Sequence, residues 1–259
     1  MPAAEARMHP RMNRRLDAGR GSGPRRPGER RLPLPGAAWF VMASAPFHLG
    51  GCASAAPLPA LALLDAGQLA RVAEGASALD AAYQLVFEWS LDEPSARLRG
   101  RGVARVEPPY RARLDLFLAN GERAAAAALV EDELRIAEGG RADLPPPPFL
   151  WGALGVFRPG ESSVLEGGRG TRTGASELRY LPAGGGELHF RLENGRLQGM
   201  EVLSADRAVE ELQLVLPEGE RFPRQAMYRN LEQVRELRIT FEAVESVETF
   251  PSEIWDPAS

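Results

Sequence analysis

Side chains able to do chemistry are scarce in this chain, and where they fall is informative. Of 259 residues one is a cysteine, Cys52, and three are histidines, His9, His48 and His189. Cys52 follows Leu49-Gly50-Gly51 at the end of an apolar stretch, Leu32 to Leu49, which is preceded by Arg25, Arg26, Arg30 and Arg31. Charged residues stay on the cytoplasmic side of a membrane, an apolar segment enters it, and small residues admit a peptidase. Leu-Gly-Gly-Cys resembles a lipobox, in which the thiol takes a diacylglyceryl group and the cysteine becomes the amino terminus after cleavage at Gly51. Pro46 and His48 interrupt the apolar run. The leader exceeds the ~15 to 30 residues usual for such a signal, and Met8 and Met12 offer later starts. Residues 1 to 24 are Arg-, Gly- and Pro-rich with no apolar period and read as disorder or read-through. Arg30-Arg31 opens a twin-arginine alternative that lacks the rest of that pattern. The competing account makes Ala37 to Leu49 an ordinary buried helix and Cys52 a free thiol.

The remaining chemistry is thin. Beyond Cys52 the only histidine is His189, which alternates with Leu188 and Phe190 and is expected on the wetter face of a strand. One histidine and no second cysteine assemble neither a zinc site nor a Ser/His/Asp triad, so no catalytic residue, metal or cofactor is expected. Glu131-Asp132-Glu133 at a turn and Glu242, Glu245 and Glu248 on the last strand read as solvated surface, and nothing in their spacing favours a paired-carboxylate hydrolase. Gly167-Gly168-Arg169-Gly170 is loop-like and matches no phosphate-binding spacing. Arg97, Arg99, Arg101 and Arg105 describe a solvated basic strand edge or a rim able to meet anionic head groups.

Charge separates at the same cysteine. Residues 1 to 51 hold nine Arg against three acidic residues, so residues 52 to 259 hold 22 Arg against 32, a net of −10 that the whole-chain −4 hides. An acidic domain argues against nucleic acid as a partner. With no second cysteine there is no internal disulfide, and the core must supply the stability.

The elements that position these residues change period along the chain. Three stretches follow: an extension with signal over 1 to 51, a lipidated tether over 52 to 60, and one domain over 61 to 259. Leu61, Leu64, Leu69, Val72, Leu79 and Ala82 sit near helical spacing and predict an N-terminal helix. The period then becomes two: Tyr83, Leu85, Phe87, Trp89 and Leu91 face one way, and strands follow near 97 to 107, 111 to 118, 123 to 130 and 133 to 137. Leu114, Leu116 and Leu118 are expected inward against Arg113, Asp115 and Phe117. A second series starts near Ser162 and includes Leu188 to Glu193, Leu197 to Leu203, Leu212 to Leu216 and Leu237 to Ala243, with tight turns at Asn120-Gly121, Asn194-Gly195 and Pro217-Glu218-Gly219. About ten antiparallel strands, each half apolar and half charged, must curl over something or be covered.

Between the two series lies Pro145 to Pro148, then Phe149-Leu150-Trp151-Gly152-Ala153-Leu154-Gly155-Val156-Phe157, then Arg158-Pro159-Gly160. Proline starts a helix well and Pro-Gly stops one, so 149 to 157 is expected to be helical with Pro148 in its first turn. A helix apolar on every side is either a core plug filling the concave face of the sheet or a lid over a lipid-sized cavity.

Together, the lipobox, the N-terminal helix, Tyr83-Gln84-Leu85-Val86-Phe87-Glu88-Trp89, Arg101 to Val106, Arg113-Leu114-Asp115-Leu116-Phe117, the Pro-rich apolar helix and the hairpin Leu192 to Leu197 resemble the LolA/LolB-type lipoprotein carriers. The resemblance spans nearly the whole of 61 to 259 and implies a mainly β (α+β) fold: a half-open curved antiparallel β-barrel with an N-terminal helix and a central apolar lid helix. It also implies outer-membrane location, with which Ala53 after the cysteine is compatible, a membrane partner through the anchor at Cys52, and other envelope proteins as further partners. The cargo would be lipid or lipoprotein acyl chains, held in a cavity of Phe87, Trp89, Leu116, Phe190, Ile239 and Phe241 beneath Phe149, Leu150, Trp151, Leu154 and Phe157. The alternative is a structural or accessory envelope lipoprotein whose filled barrel holds no ligand.

Overall fold

A computed structural model describes residues 65–138, 143–170 and 175–257. Cys52, the leader and the tether lie outside them, as do Leu61 and Leu64.

Helix α1 spans Ala66–Ser77, capped by the Asp65 carboxylate, which accepts from the Gln68 N–H at 3.0 Å. The predicted helix reached Ala82, but Ala78 turns extended at ψ 136° and ends it at Ser77. Ala82 instead opens the first strand, so the helical spacing of Leu79 and Ala82 was fortuitous.

Five strands follow as a meander: β1 Ala82–Glu93, β2 Ala96–Glu107, β3 Arg111–Leu118, β4 Arg123–Val130 and β5 Glu133–Ile136. Helix α2, Pro147–Ala153, separates them from a second meander: β6 Val164–Gly170, β7 Ser176–Leu181, β8 Glu187–Glu193, β9 Arg196–Ser204, β10 Arg207–Val215, β11 Gln225–Asn230 and β12 Arg235–Val247. A 3-10 turn, Ser252–Trp255, ends the described chain. Twelve strands form one antiparallel sheet in the order β5-β4-β3-β2-β1-β12-β11-β10-β9-β8-β7-β6. The surplus over the expected ten includes β7 and β11, six residues each and too short to show a clear period. The sheet is curved, with β5 and β6 as its outer strands, and among the described residues no ladder joins those two.

Every adjacent pair in that order is adjacent in sequence except one, β1 with β12, whose register runs from Ala82↔Val247 to Asp92↔Glu236. Leu85, Phe87, Trp89 and Leu91 are buried as their alternation predicts. Close approach of β2 to β3 demands glycine at 100, where a Cβ would lie 1.7 Å from the Phe117 carbonyl oxygen.

Three expectations are corrected. Arg113 and Asp115 are buried, because the 3-10 turn covers the outer face of β3 and β4; the Arg113 guanidinium binds Asp115 and donates to the carbonyl oxygens of Ile254 (2.9 Å) and Asp256 (3.1 Å). The same cover buries Ala126 and Ala128 opposite them. Strand β2 is not an edge but lies between β1 and β3, and Arg97, Arg101 and Arg105 pair with Asp92, Glu242 and Asp115. Gly167 to Gly170 is the end of β6 rather than a loop, with Gly168 against Ala66 of α1.

Candidate functional site on the concave face

Helix α2 is set by its prolines and glycine. Pro147 and Pro148 occupy the first turn, where missing N–H groups cost nothing. Gly155, at φ +73°, stops the helix: its N–H bonds to Gly152 O at 2.8 Å and the Val156 N–H to Trp151 O at 3.0 Å. The helix, Pro147–Ala153, is therefore shorter than the expected 149 to 157, and Val156 and Phe157 lie beyond its end.

All the apolar residues from 149 to 157 are buried. Phe149 packs edge-on to Tyr228 at 5.1 Å between ring centres, Trp151 to Tyr110 at 5.9 Å, and Phe157 to Phe190 at 4.7 Å. Gly152 lies so close to the sheet that a Cβ would stand 2.7 Å from Leu212 Cδ2 and 2.9 Å from Met200 Sδ. Polar anchors fix the two ends of the segment. Trp151 Nε1 donates to Glu131 O at 2.7 Å, Arg158 Nε to Asp132 Oδ1 at 2.7 Å, and the Phe157 N–H to the Ser77 hydroxyl at 3.0 Å. Asp132 also accepts the Glu161 N–H, so the turn read as solvated surface is the dock for this segment. The Arg158 guanidinium stacks on Tyr110 at 4.1 Å.

The eleven residues assigned to the concave face fall in two groups. Phe149, Leu150, Trp151, Leu154, Phe157 and Phe190 gather where α2 and the chain after it meet β7 to β11. Phe87, Trp89, Leu116, Ile239 and Phe241 sit on the β1–β12 seam, with Phe87 and Phe241 edge-on at 5.7 Å. Both belong to one continuous apolar cluster, in which Ile239 and Phe241 are half-buried. Among the described residues no ring contact joins one group to the other. Tyr110, Tyr180, Tyr228, Met200, Leu212 and Ser77 complete the surroundings of α2 and carry no sequence signal of that role. Burial pushes the Tyr180 phenol up to about 12 and also raises Tyr228, whose hydroxyl donates to Glu210 at 2.7 Å. Both are neutral at pH 7 and act as apolar wall with a polar tip.

His189 is on the outer face as expected but is not a surface side chain. It is 7% exposed, with Nδ1 3.2 Å from Glu177 and Nε2 2.9 Å from Glu187. The hydrogen bond to Glu177 holds its pKa above the usual histidine range, against burial, with help from Glu187; the bond to His189 lowers both carboxylates. Among the described residues no group of three or more His, Cys, Asp or Glu is placed to hold a metal ion, and no helix is long and apolar enough to cross a membrane. A groove of about 720 Å³ lies over β12, β1 and β2 and reaches the end of β3.

No protein-family profile matches the sequence, and no curated protein does. Solved structures do. The chain is similar in fold to LolA-superfamily and lipoprotein-sorting proteins. A LolA superfamily protein from Nitrosomonas europaea matches at TM-score 0.47 and 10% identity, over 74% of this chain and 97% of that one. A putative outer membrane lipoprotein-sorting protein domain from Vibrio parahaemolyticus matches at 0.48 and 7%, over 73% and 94%. A DUF1329 family protein from Desulfovibrio piger matches at 0.47 and 10%, over 74% and 95%.

Proposed function

We propose that this is a non-enzymatic envelope lipoprotein, anchored through Cys52 to the outer membrane, whose concave face takes lipid or lipoprotein acyl chains when α2 moves aside. One observation carries the reading. Beside α1, which packs on β6, β7 and β9, the concave face of an open sheet is covered by one uncharged segment, bounded by prolines at one end and Gly155 at the other and tied down by few polar bonds. Displacing it would uncover Phe190, Met200, Leu197 and Leu212, all at 1% exposure or less. An acyl chain replacing α2 there would recover apolar burial at about 25 cal/mol per Å².

The second reading is a structural or accessory envelope lipoprotein with a permanently filled barrel. The tight seating of Gly152 on Met200 and Leu212 favours it. Native mass spectrometry after gentle extraction, with uptake of a fluorescent fatty acid, separates the two: co-purifying lipid or saturable uptake supports the carrier. No lipid and no uptake leaves the filled barrel.

A further inference from the structure

We infer that the groove on the outer face of β12, β1 and β2 is a binding site for a phosphate-bearing molecule. Antiparallel register sets out its floor in rows. In one row Ser90 lies directly between Arg99 of β2 and Arg238 of β12. In the next, Glu88 lies between Arg101 and Thr240. Residues two apart on a strand share a face, so both rows look outward, opposite Phe87 and Trp89. Arg99 and Arg238 stand two strand spacings apart, about 10 Å at Cα, with Ser90 between them. The groove they help to line holds about 720 Å³, room for an organic body beside the anion.

The charge of the rows singles out this one. Arg97 and Asp92 face each other and pair at 3.0 Å, and Glu236 beside them pairs with Arg229 at 2.9 Å, so that row is neutral. The Ser90 row has two arginines and no acid. Among the described residues Arg99 makes no ion pair, and the Ser90 and Thr240 hydroxyls make no side-chain hydrogen bond. Arg238 reaches Glu236 and Arg101 reaches Glu242, through exposed single contacts of the kind that contribute little. A phosphate offers three or more acceptor oxygens to forked guanidinium donors and two hydroxyls, more than a carboxylate could satisfy at once. This site is independent of the concave face and of the acyl-chain reading.

The test uses the full chain with inorganic phosphate in calorimetry and, separately, co-sedimentation with phosphatidylglycerol and phosphatidylcholine vesicles. The controls are R99A/R238A and, on the neutral row, R97A, with thermal midpoints recorded for each. Expected is binding weakened by about tenfold or more in R99A/R238A and within about twofold in R97A. Response to phosphate alone identifies a soluble ligand, and response to phosphatidylglycerol but not phosphatidylcholine a lipid head group. No binding of either, or equal losses in R97A and R99A/R238A, overturns the inference.

Discussion

The indole of Trp151 donates its N–H to the carbonyl oxygen of Glu131 at 2.7 Å, tying the helix over the concave face to the β4–β5 turn. Trp151→Phe keeps most of the apolar bulk and removes that donor. Its expected cost is about 1 to 3 kcal/mol, read as a lower denaturant midpoint at unchanged slope. If α2 is a lid, the same variant takes up a fluorescent fatty acid faster than the parent. If it is a plug, stability falls and uptake stays absent.

Gly152→Ala places a methyl group against Leu212 and Met200. Both contacts are the far ends of flexible side chains, so the expected loss is about 1 kcal/mol, the low end for overpacking. Met200→Ala in the same chain should recover part of it. A double-mutant cycle measures the coupling, and simple additivity would disprove the contact.

The His189 cluster predicts a pH dependence of definite sign. Its folded pKa is raised, so its contribution is complete below the unfolded value near 6.5 and is lost as pH rises through the folded value. Glu177 and Glu187 are lowered, so their contribution is present above about 4.5 and is lost as pH falls. His189→Gln should therefore destabilise most near pH ~6 and progressively less toward pH ~9. Thermal melts of both proteins across that range check it, and a constant gap would show that the ion pairs contribute nothing.

Arg113→Ala leaves Asp115 buried beside Arg105 alone and removes the guanidinium donor from the carbonyls of Ile254 and Asp256. Removing one partner of a buried pair costs about 3 to 5 kcal/mol. Limited proteolysis should cut the 252 to 256 segment in this variant before any other site opens.

Strands with a large apolar side every second residue were legible directly: β1 and β3 matched their expected positions, and Asn194-Gly195 turned the chain with both residues at positive φ. So was the burial of α2, because nine uncharged residues between stops leave no wet face. What alternation could not register was a third layer. Arg113 and Asp115 follow the same polar phase as the exposed arginines of β2, and only the packing of a segment 140 residues later buries them. His189 is hidden for a different reason: long neighbours across the strands cover it, and reach is invisible to a pattern of period two. Glu131-Asp132 looked like surface because the sequence does not say that Trp151 and Arg158 come to meet it.

The sheet order has a kinetic consequence. Each meander can zip from its own hairpins, with strand partners a few residues apart, whereas β1 must find β12 across some 140 intervening residues, from Glu93 to Arg235. Closing that loop carries the largest entropic cost in the topology and is expected to come last. Pulse-labelled hydrogen exchange should find the amides of β3 and β9 protected before those joining Trp89 to Ile239. Two half-sheets formed early would expose the unpaired flanks of β1 and β12 to other chains. In this molecule the seam at the centre, more than either outer strand, is where self-association during refolding would begin.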